Sequence, residues 1–278
     1  MHLGYRMWID LRTHRQFHAY YSGNYHDAFV TRLIRLMQPG GCVLDVGANV
    51  GFYTVALAQA ARRIESTLHA FEALPGNCDR LISNLELNGV ATALRVWRLG
   101  LSNQERTARL TLREDFGARA CCASIERGTN ADAALSQAHL SQAHSSQAHS
   151  SQAHFSQVDV ELRTLDHFAE DQGLERLDLI KVDMGGEEDL LLEGGRVSFK
   201  KWRPILFMEV NKPCYLSRGV NLAARLAELL PPAYVTLASD GGLGRRWRRT
   251  PDLDTCQSLD NVFIVPEERL EQVVARLV

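Results

Sequence analysis

One stretch of the chain, residues 42–54, constrains the fold more than any other. It reads CVLDVGANVGFYT, in which a short apolar run ends in an acid, a turn with two glycines follows, and apolar residues then recur at helical spacing. Such a continuous apolar run is typical of a strand buried on both faces of a parallel sheet. Gly47 and Gly51 permit a tight turn and the close approach of a ligand, while the next helix directs unpaired N–H groups toward it. The stretch therefore predicts a strand, a turn and a helix around a small polar ligand.

The same turn separates two classes of nucleotide ligand. The dinucleotide fingerprint G-x-G-x-x-G needs bare backbone against the pyrophosphate, and Asn49 stands where its middle glycine would be. Asp45 ends the first apolar run, and Glu72 ends the next one, 27 residues further on, which fits one strand-helix-strand unit. Glu72 can then accept both ribose hydroxyls, and Asp45 can meet a cationic amine. A ligand with a ribose, an ammonium group and no phosphates is S-adenosylmethionine, which we expect as the cofactor.

Seven stretches, the first of them within the segment just described, follow one another along the chain. They are VLDVGANVGFYT at 43–54, FEALPGN at 71–77, NLELNG at 84–89, TLD at 164–166, DLIKVD at 178–183, PILFME at 204–209 and NVFIVP at 261–266. Together they resemble the FkbM-type S-adenosylmethionine-dependent methyltransferases, and the resemblance covers most of the chain from about residue 39 onward. It implies an α/β fold of the class I methyltransferase (Rossmann-like) type, a three-layer sandwich with a mostly parallel seven-stranded sheet.

The resemblance also implies an activity and a set of cofactor contacts. The activity is methyl transfer from S-adenosylmethionine, with O-methylation of a hydroxyl on a small molecule or saccharide. The side chains and backbone expected at the cofactor are Asp45, Gly47, Ala48, Asn49, Gly51, Glu72, Ser102 and Asn103. Residues 45–51 should frame the methionine end and Glu72 the ribose. Ser102 and Asn103 follow the third strand, where the class I fold meets the adenine ring, although their composition is also typical of a plain turn.

The acceptor side is expected after the fourth parallel strand. Strands of an open α/β sheet present functional groups at their carboxyl ends, so Asp183 should face the same crevice as Asp45 and Glu72. We expect Asp183 to be the general base for the acceptor hydroxyl and Glu188 to orient or bind the acceptor. A stabilising role for Glu188 at a helix N-terminus is the alternative. The resembled family carries Asp-Val-Glu-Gly-Ala-Glu here, whereas this chain has Gly185 for the first glutamate, which leaves open a cofactor-binding protein with impaired turnover.

The chain is predicted to consist of an N-terminal extension and a methyltransferase domain that contains an insertion. Residues 1–38 form an N-terminal extension and a helix, and residues 39–278 form the methyltransferase domain. Within that domain a pentapeptide containing Gln-Ala-His repeats, with histidines at His139, His144, His149 and His154. Five residues rotate a helical side chain by about 500°, so successive histidines lie about 140° apart and do not share a face. We therefore expect a low-complexity surface insertion at about 130–157 and no metal site.

The charge and cysteine patterns limit partners and location. Lys and Arg number 31 against 33 Asp and Glu, a net charge of −2, which is too balanced to attract nucleic acid or a membrane surface. The six cysteines form neither C-x-x-C pairs nor a disulfide-like framework, so we expect reduced thiols in a cytoplasmic enzyme. One basic segment, RRWRR at 245–249, would suit an RNA methyltransferase if it lay beside the cofactor; a solvated loop tip is the interpretation we favour.

Overall fold

The protein is built on a central β-sheet, seen in a computed structural model that describes residues 3–23, 25, 27–113, 123–125, 155–239, 247–250, 253 and 259–277. Its strands in chain order are β1 (Cys42–Val46), β2 (Thr67–Phe71), β3 (Arg95–Trp97), β4 (Gly100–Leu101), β5 (Arg106–Arg113), β6 (Ala123–Ile125), β7 (Phe155–Arg163), β8 (Leu179–Val182), β9 (Ile205–Asn211), β10 (Tyr234–Ser239), β11 (Trp247–Arg249) and β12 (Leu259–Pro266).

The described strands of the central sheet number eight and lie in the order β11-β10-β12-β9-β8-β1-β2-β3. The five strands from β9 to β3 run parallel, whereas β12 is antiparallel to both of its neighbours. The expected α/β fold with a mostly parallel sheet is confirmed. The expected count of seven strands is wrong, because the connection between β10 and β12 contributes β11 as an extra edge strand.

A second sheet has four strands among the described residues, in the order β4-β7-β5-β6. The alternating pattern at 107–112, which predicts an additional strand, falls in β5 and therefore outside the central sheet. Apolar side chains of β5 and β7 pack with Leu74, so this sheet lies beside the chain segment that follows β2. The predicted insertion at about 130–157 lies outside the described residues as far as position 154.

Ten helices accompany the sheets in the described ranges. They are α1 (His14–Ser22), α2 (Asp27–Leu36), α3 (Thr54–Arg63), α4 (Pro75–Leu87), α5 (Leu165–Asp171), α6 (Glu188–Glu193), α7 (Arg196–Trp202), α8 (Lys212–Ser217), α9 (Leu222–Leu229) and α10 (Leu270–Leu277). None of them combines the length and the apolar character that crossing a membrane requires.

The apolar core lies on the two faces of the central sheet. Successive residues of a strand point to opposite faces, so Val43 and Leu179 pack with α2 and α3, whereas Leu44 and Ile180 pack with α5, α6 and α9. Tyr5 is 2% exposed and belongs to the first of these clusters, so the N-terminal extension shares the core of the following domain. Of the cysteines, Cys42, Cys78 and Cys214 are buried and are not joined in a disulfide, and the other three lie outside the described residues.

Strand order determines where a ligand can bind. The chain passes from β1 to β2 on one side and reaches β8 on the other, so the strand order reverses at β1. In open α/β sheets the crevice at such a switch point, outside the carboxyl ends of the strands, is where ligands bind. The segments that follow β1, β2 and β8 should therefore form the site.

Candidate cofactor and active site

The glycine turn (residues 47–53) lies at the carboxyl end of β1. Three of its residues have positive φ angles, namely Gly47 (72°), Asn49 (51°) and Gly51 (98°). The amides of Gly47 and Ala48 donate to the carbonyl oxygen of Phe71 at 3.0 and 2.9 Å, which anchors the turn on the end of β2. A Cβ atom built on Gly51 would lie 2.7 Å from the Leu81 side chain. Glycine is required here because L-residues rarely adopt a φ angle of 98°, and α4 also packs closely against the turn.

Glu72, at the end of β2, is 7% exposed and holds the glycine turn. Its Oε2 accepts from the Asn49 amide at 2.8 Å, while its Oε1 accepts from the Leu74 amide at 2.9 Å and the Asn77 side chain at 3.4 Å. Burial raises the pKa of Glu72, and these hydrogen bonds partly offset that rise. A carboxylate offers about four acceptor positions, so Oε2 retains one for a further donor.

Asp45 lies behind the glycine turn and makes two close contacts within the protein. It is fully buried, its Oδ2 accepts from the Thr54 hydroxyl at 2.6 Å, and its Oδ1 forms an ion pair with the Lys181 ammonium group at 3.0 Å. Asp45 and Lys181 are cross-strand partners in the β1–β8 register. The sequence-predicted contact of Asp45 with a ligand amine stays a prediction, and the structure gives this carboxylate a hydrogen bond and an ion pair within the protein.

The sequence patterns assign no role to Lys181, yet the structure places its side chain at the site. Its Nζ also donates to the carbonyl oxygens of Gly47 at 2.8 Å and Val46 at 3.4 Å. Burial lowers the pKa of Lys181, but the Asp45 and Asp183 carboxylates more than offset this effect, so the pKa is raised and the side chain is charged. The signal available in the sequence was a lysine within an otherwise apolar run that predicts a buried strand.

Asp183 follows β8 and lies beside the glycine turn, as its position in the sequence predicts. Its amide donates to the carbonyl oxygen of Val46 at 3.1 Å, and its residue is half-buried. A Cβ atom on Gly47 would lie 1.9 Å from the carbonyl oxygen of Asp183. The end of β8 and the turn after β1 are therefore in direct contact.

Glu188 is 1% exposed and binds the loop that follows β8. Its Oε1 accepts from the amides of Met184 at 2.9 Å and Gly186 at 3.1 Å, and its Oε2 is hydrogen-bonded to the hydroxyl of Tyr215. Burial raises the pKa of Glu188 to about 7, even though the hydrogen bonds from Tyr215 and the loop favour the charged form. These contacts direct the carboxyl group toward the loop and Tyr215, and both the acceptor role and the helix N-terminal role of Glu188 stay predictions.

A second buried pair holds the same loop against α8. Arg218 forms two hydrogen bonds with Asp189, at 2.8 and 2.7 Å, and also donates to the carbonyl oxygen of Gly186. A Cβ atom on Gly186 would lie 2.3 Å from the Cβ atom of Cys214, so this position needs glycine. Gly185 differs, because its φ angle is 71° and nothing lies within 4 Å of an added Cβ atom.

Ser102 and Asn103, the predicted adenine contacts, lie between the second sheet and α6. The Ser102 amide donates to the carbonyl oxygen of Arg163 at 2.7 Å, and the Asn103 side chain donates to Glu193 at 3.3 Å. A Cβ atom on Gly194 would lie 2.0 Å from the Ser102 carbonyl oxygen. These contacts run to the end of β7, to α6 and to the residue that follows α6, and the adenine role stays a prediction.

The N-terminal extension covers the outer side of the glycine turn. The Tyr5 hydroxyl donates to the carbonyl oxygen of Phe52 at 3.0 Å, and the Tyr25 ring stacks on the Phe52 ring at 4.0 Å between centroids. Ala19 of α1 is 1% exposed and packs with Val50 and Phe52. Sequence reasoning left the structure of this extension open; its contacts place it on the turn and on α4.

The basic segment at 245–249 is remote from the glycine turn where the structure describes it. Four strands separate β11 from β1 in the described sheet, a distance of about 24 Å at usual strand spacing. The Trp247 ring packs on Phe263 at 4.7 Å and Phe29 at 6.2 Å, so it belongs to the core. Arg249 pairs with Glu267 at 3.2 Å, and positions 245 and 246 lie outside the described residues.

The fold and the site together define a class of protein. A mostly parallel sheet that reverses its order at β1, with a glycine turn after β1 and acidic residues after β2 and β8, is the arrangement of the class I methyltransferases. The profile described as "Methyltransferase FkbM domain" matches residues 45–230, and the chain belongs to this family.

Individual proteins similar to this chain have low sequence identity to it. The chain is 28% identical over 209 residues to "Methyltransferase sdnD" of Sordaria araneosa, covering 69% of this chain and 78% of that protein. It is 30% identical over 187 residues to "AMB antimetabolite synthetase AmbE" of Pseudomonas aeruginosa, covering 63% of this chain but only 9% of that protein. A crystal structure of a methyltransferase FkbM from Methylobacillus flagellatus KT is 14% identical with a TM-score of 0.46, over 82% of this chain and 44% of that one.

Proposed function

We propose that the protein transfers a methyl group from S-adenosylmethionine to a hydroxyl oxygen of a small molecule or saccharide. The observation that carries the choice of cofactor is the hydrogen bond from the Asn49 amide to Glu72 Oε2 at 2.8 Å. A pyrophosphate at this turn would need that amide as a donor, and it would meet the negative charge of the carboxylate. A ribose hydroxyl, by contrast, can donate to the acceptor position that Oε2 retains. The turn therefore favours a nucleoside ligand without phosphates.

The residues of the chain fit such a ligand at two points. Glu72 would hold the ribose, and the backbone of Gly47, Ala48, Asn49 and Gly51 would frame the methionine end. When bound, S-adenosylmethionine supplies an electrophilic methyl group on a positively charged sulfur. The contribution of the protein is to hold donor and acceptor in line and at close distance, because positioning accounts for much of the rate gain in such a displacement. The apolar cover formed by Val50, Phe52 and α1 excludes water on that side.

Asp183 is the residue we assign to proton transfer. A hydroxyl acceptor becomes a good nucleophile only when a base within hydrogen-bond reach takes its proton. The contact between the Asp183 backbone and Gly47 supports this assignment, since it brings the end of β8 to the cofactor turn. Glu188 supports the loop that follows, so we assign it an orienting role that acts through the amides of Met184 and Gly186.

The cofactor assignment is tested by calorimetric titration of S-adenosylmethionine and, separately, NAD. We expect S-adenosylmethionine to bind and NAD not to bind, and we expect Glu72→Gln to weaken binding about tenfold or more, because a charged acceptor for the ribose is lost. Glu86→Gln is the matched control, since it makes the same chemical change at an exposed position of α4. Absence of S-adenosylmethionine binding, or preference for NAD, contradicts the proposal.

The base assignment is tested with Asp183→Asn once an acceptor has been found in a panel of hydroxyl-bearing small molecules and saccharides. We expect turnover to fall about 10²- to 10⁴-fold, the usual contribution of a general base, while cofactor affinity stays the same. Unchanged turnover with intact cofactor binding would reject Asp183 as the base.

A second candidate function is a cofactor-binding protein with impaired turnover, and Gly185 is the observation that favours it. The family glutamate at this position would add a carboxylate where the space around the Cβ position is open. Direct restoration of glutamate is a poor test, because the φ angle of 71° costs most L-residues about 1–2 kcal/mol. Aspartate and asparagine tolerate this region better. Methylation that appears with Gly185→Asp but not with Gly185→Asn or the native chain would favour the second candidate.

A further inference from the structure

We propose that Lys181 is a positioning residue for the glycine turn, and that Asp45 acts with it behind the turn without touching the ligand. Four residues carry this inference, and we call them the turn clamp: Gly47, Lys181, Asp45 and Thr54. The identity of the ligand rests on the proposed function, but the mechanical role of the clamp does not.

The Lys181 ammonium group is coordinated on three sides by the start of the turn and by its own cross-strand partner. Nζ lies 2.8 Å from the Gly47 carbonyl oxygen, 3.4 Å from that of Val46 and 3.0 Å from Asp45 Oδ1. Two hydrogen bonds to backbone carbonyl oxygens and one ion pair therefore surround the ammonium group. The Tyr53 ring, whose centroid lies 5.3 Å from Nζ, closes a further side.

Asp45 connects the other end of the turn to the same lysine. Its Oδ2 accepts from the hydroxyl of Thr54, the first residue of α3, at 2.6 Å. The glycine turn begins at Gly47 and α3 begins directly after residue 53, so both ends of the turn are bound to the Asp45–Lys181 pair. Two ends held at one point of the sheet leave the turn little freedom to change its opening.

Packing alone does not explain a lysine at this position. The other residues of β8 are leucine, isoleucine and valine, and the Lys181 side chain is 4% exposed. Removing an ammonium group from water is costly unless it is paired and hydrogen-bonded, and an apolar residue of similar size would avoid that cost. What an apolar residue could not supply is a donor for the Gly47 carbonyl oxygen.

The clamp also determines what Asp45 can do. The residue is fully buried, one carboxylate oxygen accepts from the Thr54 hydroxyl, and the other lies 3.0 Å from the Lys181 ammonium group in an ion pair. A ligand amine could reach it only if Lys181 or the turn moved away. We therefore assign the ligand contacts to the exposed side of the turn and give Asp45 and Lys181 the task of setting its geometry.

The test distinguishes a positioning role of Lys181 at the glycine turn from a role as the counter-charge of Asp45 alone. Lys181→Met leaves the buried Asp45 carboxylate without its counter-charge, and we expect it to lower the melting temperature. Lys181→Met combined with Asp45→Asn removes both charges, and we expect it to recover most of the melting temperature. Lys200→Met is the matched control, because Lys200 is exposed on α7.

The decisive readouts are local. In the double variant we expect hydrogen exchange of the amides at 47–55 to be about tenfold faster than in the native chain, because Gly47 has lost its anchor. We expect the dissociation constant for S-adenosylmethionine to rise about tenfold as well, the effect of one misplaced binding element. Native exchange together with native affinity in a stable double variant would overturn the proposal and leave Lys181 as a charge partner of Asp45 only.

A second variant keeps the test decisive if the lysine variants do not fold. Thr54→Val removes the hydrogen bond at the other end of the clamp and changes no charge, so we expect faster exchange at 47–55 and weaker cofactor binding. Native exchange in Thr54→Val would overturn the clamp. Exchange is measured without ligand, so a native chain that fails to bind S-adenosylmethionine refutes the proposed function while the exchange data still decide the role of Lys181.

Discussion

Gly47 packs directly against the carbonyl oxygen of Asp183, so closely that an added Cβ atom would lie 1.9 Å from it. This contact joins the turn after β1 to the end of β8. The turn proposed to hold the cofactor therefore touches the strand end proposed to face the acceptor. A larger side chain at Gly47 must displace either the turn or the end of β8.

Gly47→Ala is expected to destabilise the protein and abolish ligand binding. The left-handed backbone, with a φ angle of 72°, costs about 1–2 kcal/mol for an L-residue, and the clash with Asp183 adds to it. Gly40→Ala is the control, because Gly40 has a φ angle of 63° but open space around its Cβ position. Denaturant unfolding should show a clearly larger loss for Gly47→Ala, and equal losses would contradict the packing account.

The stability of the protein should depend on the titration of Glu188. Its pKa rises from 4.5 to about 7 on folding, so between these values the folded protein binds a proton that the unfolded chain does not. The free energy of unfolding should therefore fall as the pH rises from about 4.5 to about 7, by about 3 kcal/mol in total, and then level off.

Glu188→Gln isolates that contribution. Its amide oxygen can still accept from Met184 and Gly186, and its amide nitrogen can donate to the Tyr215 oxygen, so the geometry is retained. Urea unfolding at pH 5 and pH 8 should show that the variant lacks this pH dependence and is more stable than the native chain at pH 8. Parallel pH profiles for the two proteins would contradict the raised pKa of Glu188.

Arg218→Met should be strongly destabilising. Arg218 and Asp189 have side chains 6% and 3% exposed, and loss of one partner of such a buried pair costs about 3–5 kcal/mol. Arg218→Met with Asp189→Leu should recover most of this loss, because no charge then stays buried. Arg98→Met breaks the exposed pair with Asp79 and should leave the free energy of unfolding nearly unchanged in the same experiment.

Asn84→Ala should release the N-terminal extension. Asn84 is fully buried; its Oδ1 accepts from the Trp8 amide at 2.6 Å, and its Nδ2 donates to the carbonyl oxygen of Val50 at 2.8 Å. Loss of these partners should cost about 1–3 kcal/mol and increase tryptic cleavage at Arg6 and Arg12. Ser83→Ala, a neighbour whose hydroxyl bonds only within α4 in the described structure, should leave cleavage unchanged.

Local patterns predicted the elements that depend on local chemistry. The apolar run that ends at Val46 predicts a strand, which is β1, and the apolar face from Asp27 to Met37 predicts a helix, which is α2. Thr164 is a candidate N-cap by residue type, and it caps α5 by accepting from the His167 amide at 3.2 Å. The pattern at 187–199 predicts a single helix; this prediction is wrong, because the segment divides into α6 and α7. Gly194 lies between them, and its contact with the Ser102 carbonyl oxygen depends on a segment about 90 residues away, which periodicity does not contain.

For the site, the amino-acid sequence was enough to predict which chemical groups follow each parallel strand: the glycine turn after β1, Glu72 after β2 and Asp183 after β8. Strand ends and turns are encoded by neighbouring residues, so these positions can be read locally. Which of these groups face one another depends instead on how the strands and helices pack. Lys181 pairs with Asp45 because β8 lies beside β1 in one particular register, and Glu188 turns inward because Tyr215 lies opposite it. Such pairings depend on how distant segments pack, so the same residue types could have been solvated or exposed in another arrangement.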